Sequence, residues 1–202
     1  MELLIVIAVI GILLAAFLPA LAKRRARSSR IGCTNNLKQI GLSFKQWALD
    51  NDDKFPMQVY ATNGGAMELM ASGTIHAIFL VMSNELNTPK VLCCPEDTNR
   101  IAATNFNSFR NRSLSYFVGL DANDTYPQTI LSGDDNFTIN GVKPRSGLVL
   151  FSTNDTAAWQ PTRHVNQGNV LFADGSVQGC SSTLLNAVLH TSAIATNRLL
   201  LP

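Results

Sequence analysis

The chain has 202 residues, of which 46% are hydrophobic and 15% are charged, and its formal net charge is +2. Five of its 16 basic residues lie between Lys23 and Arg30, so residues 31–202 carry 11 basic against 13 acidic residues. This slightly acidic balance excludes a general nucleic-acid binder, and the length is sufficient for one domain with a substantial core.

The first predicted element is an apolar helix. Leu3 to Ala22 form a run of 20 residues without a charged or strongly polar side chain. As an α-helix, this run is about 30 Å long, which matches the hydrocarbon core of a bilayer. A signal peptide has a shorter apolar core that follows basic residues, whereas here the basic residues come afterwards. We therefore interpret residues 1–27 as a retained segment that acts as a membrane anchor.

The helical pattern continues beyond Arg30 with an apolar stripe at spacings of four, three, four and three residues. The sequence from Asp50 to Asp53, followed by Phe55 before a proline, predicts the end of the helix. The second half, about residues 28–52, is therefore amphipathic and is expected to pack against a globular head formed by residues 28–202. The stripe consists of Cys33, Leu37, Ile40, Phe44 and Trp47.

The segment ELLIVIAVIGILLAAFLP begins with Glu2 and ends with Pro19, and it contains Gly11. This segment resembles the N-terminal helix of type IV pilins and type II secretion pseudopilins. The resemblance implies that the helix first anchors the chain in the membrane and later packs in the core of a helical filament. It also implies that Glu2 neutralises the terminal amine of a neighbouring subunit, and that the helix is interrupted between Gly11 and Pro19 in the filament. A short basic leader and a few residues before Glu2 are expected, and the printed sequence does not include them.

A second motif lies near the C-terminus, where His164 is followed by nine residues and then by Asp174-Gly175. Together with the words CTNNLKQIGLSFKQWALDNDDKFP, it resembles a bacterial subfamily of pilin-like proteins. Asn169 to Ala173 alternates as a strand, and Asp174-Gly175 predicts a type I′ turn before a returning strand at Ser176 to Gln178. A catalytic pair of His164 and Asp174 is the alternative, but no nucleophile or metal-ligand set accompanies it. We expect a structural hydrogen bond at His164 and no enzymatic activity.

The remaining head residues predict short elements between loops. Ser113 to Leu120 and Gly147 to Thr153 are typical of strands, whereas Met67 to Met82 fits a short helix or a buried strand. Leu184 and the apolar residues after it have helical spacing, which indicates a short C-terminal helix. The resulting fold class is α+β, and the resemblance makes it a type IV pilin fold, with a long N-terminal helix and a small antiparallel sheet in the head.

Four cysteines allow three pairings, and spacing does not choose among them. Adjacent Cys93 and Cys94 rarely bond to each other. A zinc site is the alternative, but there is no paired Cys-x2-Cys unit and the histidines are scattered. The resemblance implies a disulfide between Cys33 and Cys94, which leaves Cys93 to pair with Cys180.

Clusters of oxygen-bearing side chains in the loops suggest weak calcium candidates at Asp121, Asn123 and Asp124. A similar cluster occurs at Gly133 to Asn136. The full spacing of an EF-hand is absent, so ordinary turns that these side chains stabilise are the alternative that we favour. Calcium is therefore the one cofactor that the sequence leaves open.

Two classes of function fit these features. The first is a structural subunit that polymerises through its apolar helix into an extracellular type IV pilus-like or pseudopilus filament. Its partners would be copies of itself and the pilus or type II secretion assembly machinery, and it would move from the bacterial inner membrane to the cell surface. The second is a membrane-anchored minor pilin or surface binding module that does not form the bulk of a filament.

Overall fold

The structure is a computed structural model that describes residues 2–191 and 196–202, without the side chains of residues 2–5, 8, 14 and 16–27. The predicted long helix is present: α1 spans Glu2–Leu49. Its predicted apolar stripe is buried, since four of the five side chains are inaccessible to solvent and Trp47 is 6% exposed. The chain leaves the helix through Asp52 and Asp53, whose φ angles of 55° and 56° cannot continue a right-handed helix.

Eight strands follow, in two antiparallel sheets. The larger sheet has six strands in the order β4-β8-β1-β2-β6-β7, and β3 pairs with β5 in the smaller sheet. The bounds are β1 Tyr116–Gly119, β2 Ile130–Asp134, β3 Phe137–Ile139, β4 Gly147–Ser152, β5 Ala157–Trp159, β6 Gln167–Phe172, β7 Val177–Ser181 and β8 Thr196–Leu201.

Short helices connect these elements. The region from Met67 to Met82, for which the sequence left helix and strand open, is helical, with a 3₁₀ helix at Met67–Ser72 before α2. The predicted C-terminal helix is α4. The remaining bounds are α2 His76–Val81, α3 Ser83–Leu86, α4 Ser182–Thr191, and 3₁₀ helices at Pro56–Gln58, Ala61–Asn63, Pro89–Leu92, Phe106–Ser108 and Asn111–Ser113.

The central strands of the larger sheet are covered on both faces. On β1, Tyr116 and Val118 pack into the core under α1, whereas Phe117 between them packs into a second core with α4 and the smaller sheet. Adjacent residues of a strand point to opposite faces, so β1 is buried on both faces. The second half of α1 is therefore one of three layers, and the sheet lies in the middle.

The expected fold class was wrong. A type IV pilin fold with a small sheet does not describe a chain with a six-stranded sheet, a second sheet and eight strands overall. The chain mixes α and β elements, but strands β2, β3, β5 and β8 are additional to the predicted ones. Of the helices within the described residues, none combines the length and the apolar character needed to cross a membrane.

Candidate functional site

The N-terminal part of α1 exposes large apolar side chains. Six of them are between 50% and 70% accessible to solvent in the isolated chain, and they point in most directions around the helix axis. A helix that is apolar on nearly all sides requires cover from other molecules. The six are Val6, Ile7, Val9, Ile10, Ile12 and Leu13.

The second half of α1 contacts the head with one side. Its other side, which faces outward, is partly apolar. Ile31, Leu42 and Leu49 are 53%, 68% and 78% exposed. Their spacings of 11 and 7 residues place them on one face, because both numbers are close to multiples of 3.6. This outward stripe lies opposite the buried stripe that begins at Cys33, and polar residues such as Asn35 and Lys38 are interspersed along it.

The structure gives only the backbone for two of the three predicted assembly residues. Helix α1 runs through the positions of Glu2 and Pro19, but their side chains lie outside the described part of the chain. Gly11 is described, and a Cβ built there would meet no atom within 4 Å. The helix is continuous in the single chain, so its predicted interruption in the filament stays a prediction.

The His-x9-Asp-Gly motif forms the predicted hairpin with a different turn. A type I′ turn needs positive φ at both central residues, but only Gly175 has it, at 85°. The Gly175 N–H donates to the Phe172 carbonyl oxygen over 2.9 Å, and the Ser176 N–H donates to the Asp174 carboxylate over 2.8 Å. The connection is therefore a type I turn followed by a left-handed glycine. Our expectation failed because an Asp-Gly pair fits both hairpin types.

The two ends of this motif do not meet. His164 precedes β6 and Asp174 follows it, and a six-residue strand is about 20 Å long. The alternative of a catalytic His164–Asp174 pair is therefore excluded. Asp174 instead caps its own turn, and Gly175 provides the backbone conformation that the turn requires.

His164 is inaccessible to solvent and lies between two carboxylates. Its Nδ1 faces the Glu96 carboxylate, which also accepts a hydrogen bond from the His164 backbone N–H at 3.0 Å. Its Nε2 lies 3.6 Å from Asp134 Oδ2, at the end of β2. The backbone is left-handed at His164, Val165 and Asn166, with φ between 52° and 57°. These contacts hold a costly loop conformation against the sheet, in line with the expected structural role.

Next to His164, a second group of buried charges joins the segment that contains Asp97 and Arg100 to the segment that contains Arg163. Asp97 Oδ2 accepts hydrogen bonds from Ser115 Oγ at 2.8 Å and from Arg163 Nη1 at 3.1 Å. Asp135 pairs with Arg163 and, over 2.7 Å, with Arg100. Burial by itself raises the pKa of the Asp97 carboxyl, but Arg163, Ser115 and Arg100 together hold that pKa below its usual range.

A disulfide joins Cys33 of α1 to Cys94, the pair that the resemblance implies. The second implied disulfide is wrong, since Cys93 and Cys180 are free and buried. The Cys93 sulfur lies 3.7 Å from Ser115 Oγ, whereas Cys180 lies on β7 in the core under α4. The two thiols therefore belong to different environments, and the sequence carries no sign of this separation.

The disulfide adjoins the histidine. Cys94 Sγ lies 3.5 Å from His164 Nε2. The donor atoms of four buried residues lie within 4.8 Å of one another, namely Cys33, Cys94, Asp134 and His164. Among the described residues this is the one such group of metal-ligand type. Asp134 and Glu96 were not predicted to lie beside His164. Glu96 follows Cys94 by two residues, and Asp134 belongs to the Gly-Asp-Asp-Asn cluster.

The weak calcium candidates have other partners. Asp121 accepts hydrogen bonds from Arg198 Nε at 2.7 Å and from the Arg198 backbone N–H at 2.7 Å. Asp124 pairs with Lys45 of α1, and the Asn123 side chain accepts the Thr125 backbone N–H at 2.8 Å. Asp121 and Asp124 thus connect this loop to β8 and to α1, and Asn123 stabilises the turn between them.

Comparison with known proteins adds no relative. No family model matches the chain, and comparison with curated proteins and with solved structures finds no match.

Proposed function

We propose that the chain is a structural subunit that assembles with copies of itself, through α1, into an extracellular type IV pilus-like or pseudopilus filament. The observation that carries the proposal is the exposed apolar surface of α1. Burying one large apolar side chain stabilises a structure by about 1.5–3 kcal/mol. The six exposed side chains at residues 6–13 therefore represent a large driving force for association.

The length of this surface favours other helices as the cover. From Val6 to Leu49 the helix extends about 65 Å, whereas the hydrocarbon core of a bilayer is about 30 Å thick. Lipid could cover the first part of α1 but not the outward stripe at Ile31, Leu42 and Leu49. Neighbouring copies of α1, staggered along a filament, would cover both parts.

A groove on the head favours a second candidate, a membrane-anchored surface binding module. Its volume is about 1070 Å³, and its walls combine apolar side chains such as Leu120 and Phe172 with the Asp121–Arg198 ion pair. Ligand sites in proteins have similar volumes and a similar mixture of apolar walls and a few polar groups. A binding module would use this groove and would not need the outward stripe of α1.

Electron microscopy of sheared surface material, with the filament proteins identified by mass spectrometry, tests the first candidate. We expect filaments in which this chain is a principal component. Leu42→Asp should strongly reduce them, because it places a charge in the contact between helices. Ile101→Asp is the matched control: Ile101 is 85% exposed and lies on a head loop, so filament yield should not change.

The outcome separates the two candidates. A normal filament yield from Leu42→Asp, at normal protein levels, would contradict assembly through the outward stripe. Recovery of the wild-type chain only as a monomer in the membrane fraction would support the binding module instead. Surface substitutions of this kind change folding stability by less than about 0.5 kcal/mol, so a loss of filaments would report assembly and not misfolding.

A further inference from the structure

We propose that Cys33, Cys94, His164 and Asp134 form a redox-controlled zinc site, which is closed by the disulfide and becomes available when that disulfide is reduced. The four donor atoms come from four separate parts of the chain: Cys33 on α1, Cys94 in the loop after the 3₁₀ helix Pro89–Leu92, Asp134 at the end of β2 and His164 in the loop before β6. Two thiolates, one imidazole and one carboxylate are a ligand set that Zn²⁺ accepts in tetrahedral sites.

The distances already match such a site. With Zn–S bonds of about 2.3 Å and Zn–N or Zn–O bonds of about 2.1 Å, tetrahedral geometry separates sulfur from nitrogen by about 3.6 Å and nitrogen from oxygen by about 3.4 Å. In the structure, Cys94 Sγ and His164 Nε2 are 3.5 Å apart, and His164 Nε2 and Asp134 Oδ2 are 3.6 Å apart. The change that zinc requires is the separation of the two sulfurs after their bond is broken.

The histidine is held in the orientation of a metal ligand. Its Nδ1 faces the Glu96 carboxylate, so Nε2 is the ring nitrogen that lies towards Cys94 and Asp134. Histidines that bind metals commonly donate their second ring nitrogen to a carboxylate in this way.

Asp134 supplies an independent observation. Its side chain is inaccessible to solvent, and Oδ2 accepts two hydrogen bonds from Asn169, at 2.8 Å from the backbone N–H and 2.9 Å from Nδ2. Its other oxygen, Oδ1, has no hydrogen-bond partner among the described residues. An unpaired buried carboxylate oxygen is costly, and a cation that Oδ1 binds, while Asn169 holds Oδ2, would remove that cost.

The chemical steps balance with a dithiol as the external reductant. A dithiol reductant transfers two electrons and two protons to the Cys33–Cys94 bond and is itself oxidised to a disulfide. Two thiols result. Zinc then binds both sulfurs as thiolates, and the two protons leave to solvent. A disulfide oxidant reverses the sequence: it accepts two electrons from the two thiolates and becomes a dithiol by taking up two protons from solvent, the Cys33–Cys94 bond re-forms, and Zn²⁺ is released, because the sulfurs that form a disulfide cannot serve as thiolate ligands.

Cobalt binding to the full chain in detergent tests the proposal, because Co²⁺ occupies zinc sites and gives absorption bands when thiolates bind it. After reduction with a phosphine, we expect one Co²⁺ per chain with thiolate-to-cobalt and tetrahedral bands, and displacement by Zn²⁺. The oxidised chain should give none. Zinc should also raise the melting temperature of the reduced chain, because binding to the folded state stabilises it.

Variants show which residues bind. His164→Gln should weaken cobalt binding at least 100-fold, and Glu96→Gln, which leaves all four ligands in place, should weaken it about 10-fold. Cys93→Ser is the matched control, since it removes the neighbouring thiol but no ligand, and its affinity should equal that of the wild type. If His164→Gln does not fold, the cobalt affinity of Glu96→Gln provides the test. The proposal is overturned if the reduced chain gives no thiolate bands, if oxidised and reduced chains bind equally, or if Glu96→Gln binds as the wild type does.

Discussion

Gly41 of helix α1 lies directly against Gly175 in the turn of the β6–β7 hairpin. A Cβ built on Gly41 would be 3.4 Å from the Gly175 Cα atom and 2.8 Å from Leu171 Cδ1. The absence of a side chain at residue 41 therefore lets the helix backbone approach the hairpin. This contact joins the two segments on which the family resemblance was based, the amphipathic helix and the Asp-Gly motif.

We predict that Gly41→Val destabilises the chain by about 1–3 kcal/mol, because the added methyl groups would have to displace Leu171 and the turn. Urea unfolding of the full chain in detergent measures the change. Gly11→Val is the control, since it introduces the same residue into the same helix at a position with no atom within 4 Å. Equal stability of the two variants would show that the close approach at Gly41 is unimportant.

A second prediction separates backbone conformation from space at Gly175. A Cβ there would meet no atom within 4 Å, but φ is 85°. Gly175→Val should cost about 1–2 kcal/mol, because a β-branched residue resists the left-handed region. Gly175→Asn should cost less, since asparagine tolerates that region better. Thermal unfolding of both variants provides the measurement, and a loss that is as large for Asn as for Val would contradict a conformational cause.

The sequence predicted the parts of the fold whose signals are local. The stripe from Cys33 to Trp47 repeats with the helical period and is bounded by an aspartate-rich end, so both the helix and its buried face were predictable. Strand β4 was predictable for the same reason, as Gly147–Ser152 is a short apolar run between turn residues. These patterns depend on neighbours in sequence and not on the rest of the fold.

The parts that depend on distant partners were not predictable. Strand β2 ends in Gly133 and Asp134, which are typical of loops, but Asp134 is buried because Asn169 and His164 lie against it. Strand β8 pairs with β1 and β4, more than 40 residues earlier in the chain. Of the cluster around His164, the motif identified the histidine and the resemblance implied the Cys33–Cys94 pair. The carboxylates on either side of the ring become neighbours only when the sheet forms.

The third prediction concerns the two free thiols. Burial raises the pKa of Cys180 to about 12 and also raises the pKa of Cys93, so at pH 8 both are almost entirely protonated and unreactive. Maleimide labelling without a reductant should find no thiol in the folded chain and two after denaturation. Labelling after denaturation and reduction should find four. No labelling after denaturation alone would indicate a second disulfide and would contradict the structure.

The last prediction is a pH dependence that Asp97 causes. Its carboxyl is paired with Arg163 and Arg100 and has a folded pKa below the unfolded value of about 3.9. Its contribution to stability is therefore complete above the unfolded pKa and is lost as the pH falls through the lower folded pKa. Above the unfolded pKa, Asp97 is deprotonated in both the folded and the unfolded chain, so its contribution to stability no longer changes with pH.

Asp97→Asn removes the charge at every pH and leaves Arg163 with one buried carboxylate fewer. We expect a loss of about 3 kcal/mol in the free energy of unfolding at pH 7. The difference from the wild type should shrink as the pH falls below the unfolded pKa, because the wild-type carboxyl is then protonated on unfolding and the stability that its charge contributes is progressively lost. Urea unfolding at a series of pH values measures it. Asp52→Asn is the control, since that side chain is 92% exposed and should change stability by less than about 0.5 kcal/mol at any pH. A difference between Asp97→Asn and the wild type that stayed constant from pH 7 to pH 2.5 would show that the charge of Asp97 does not stabilise the fold.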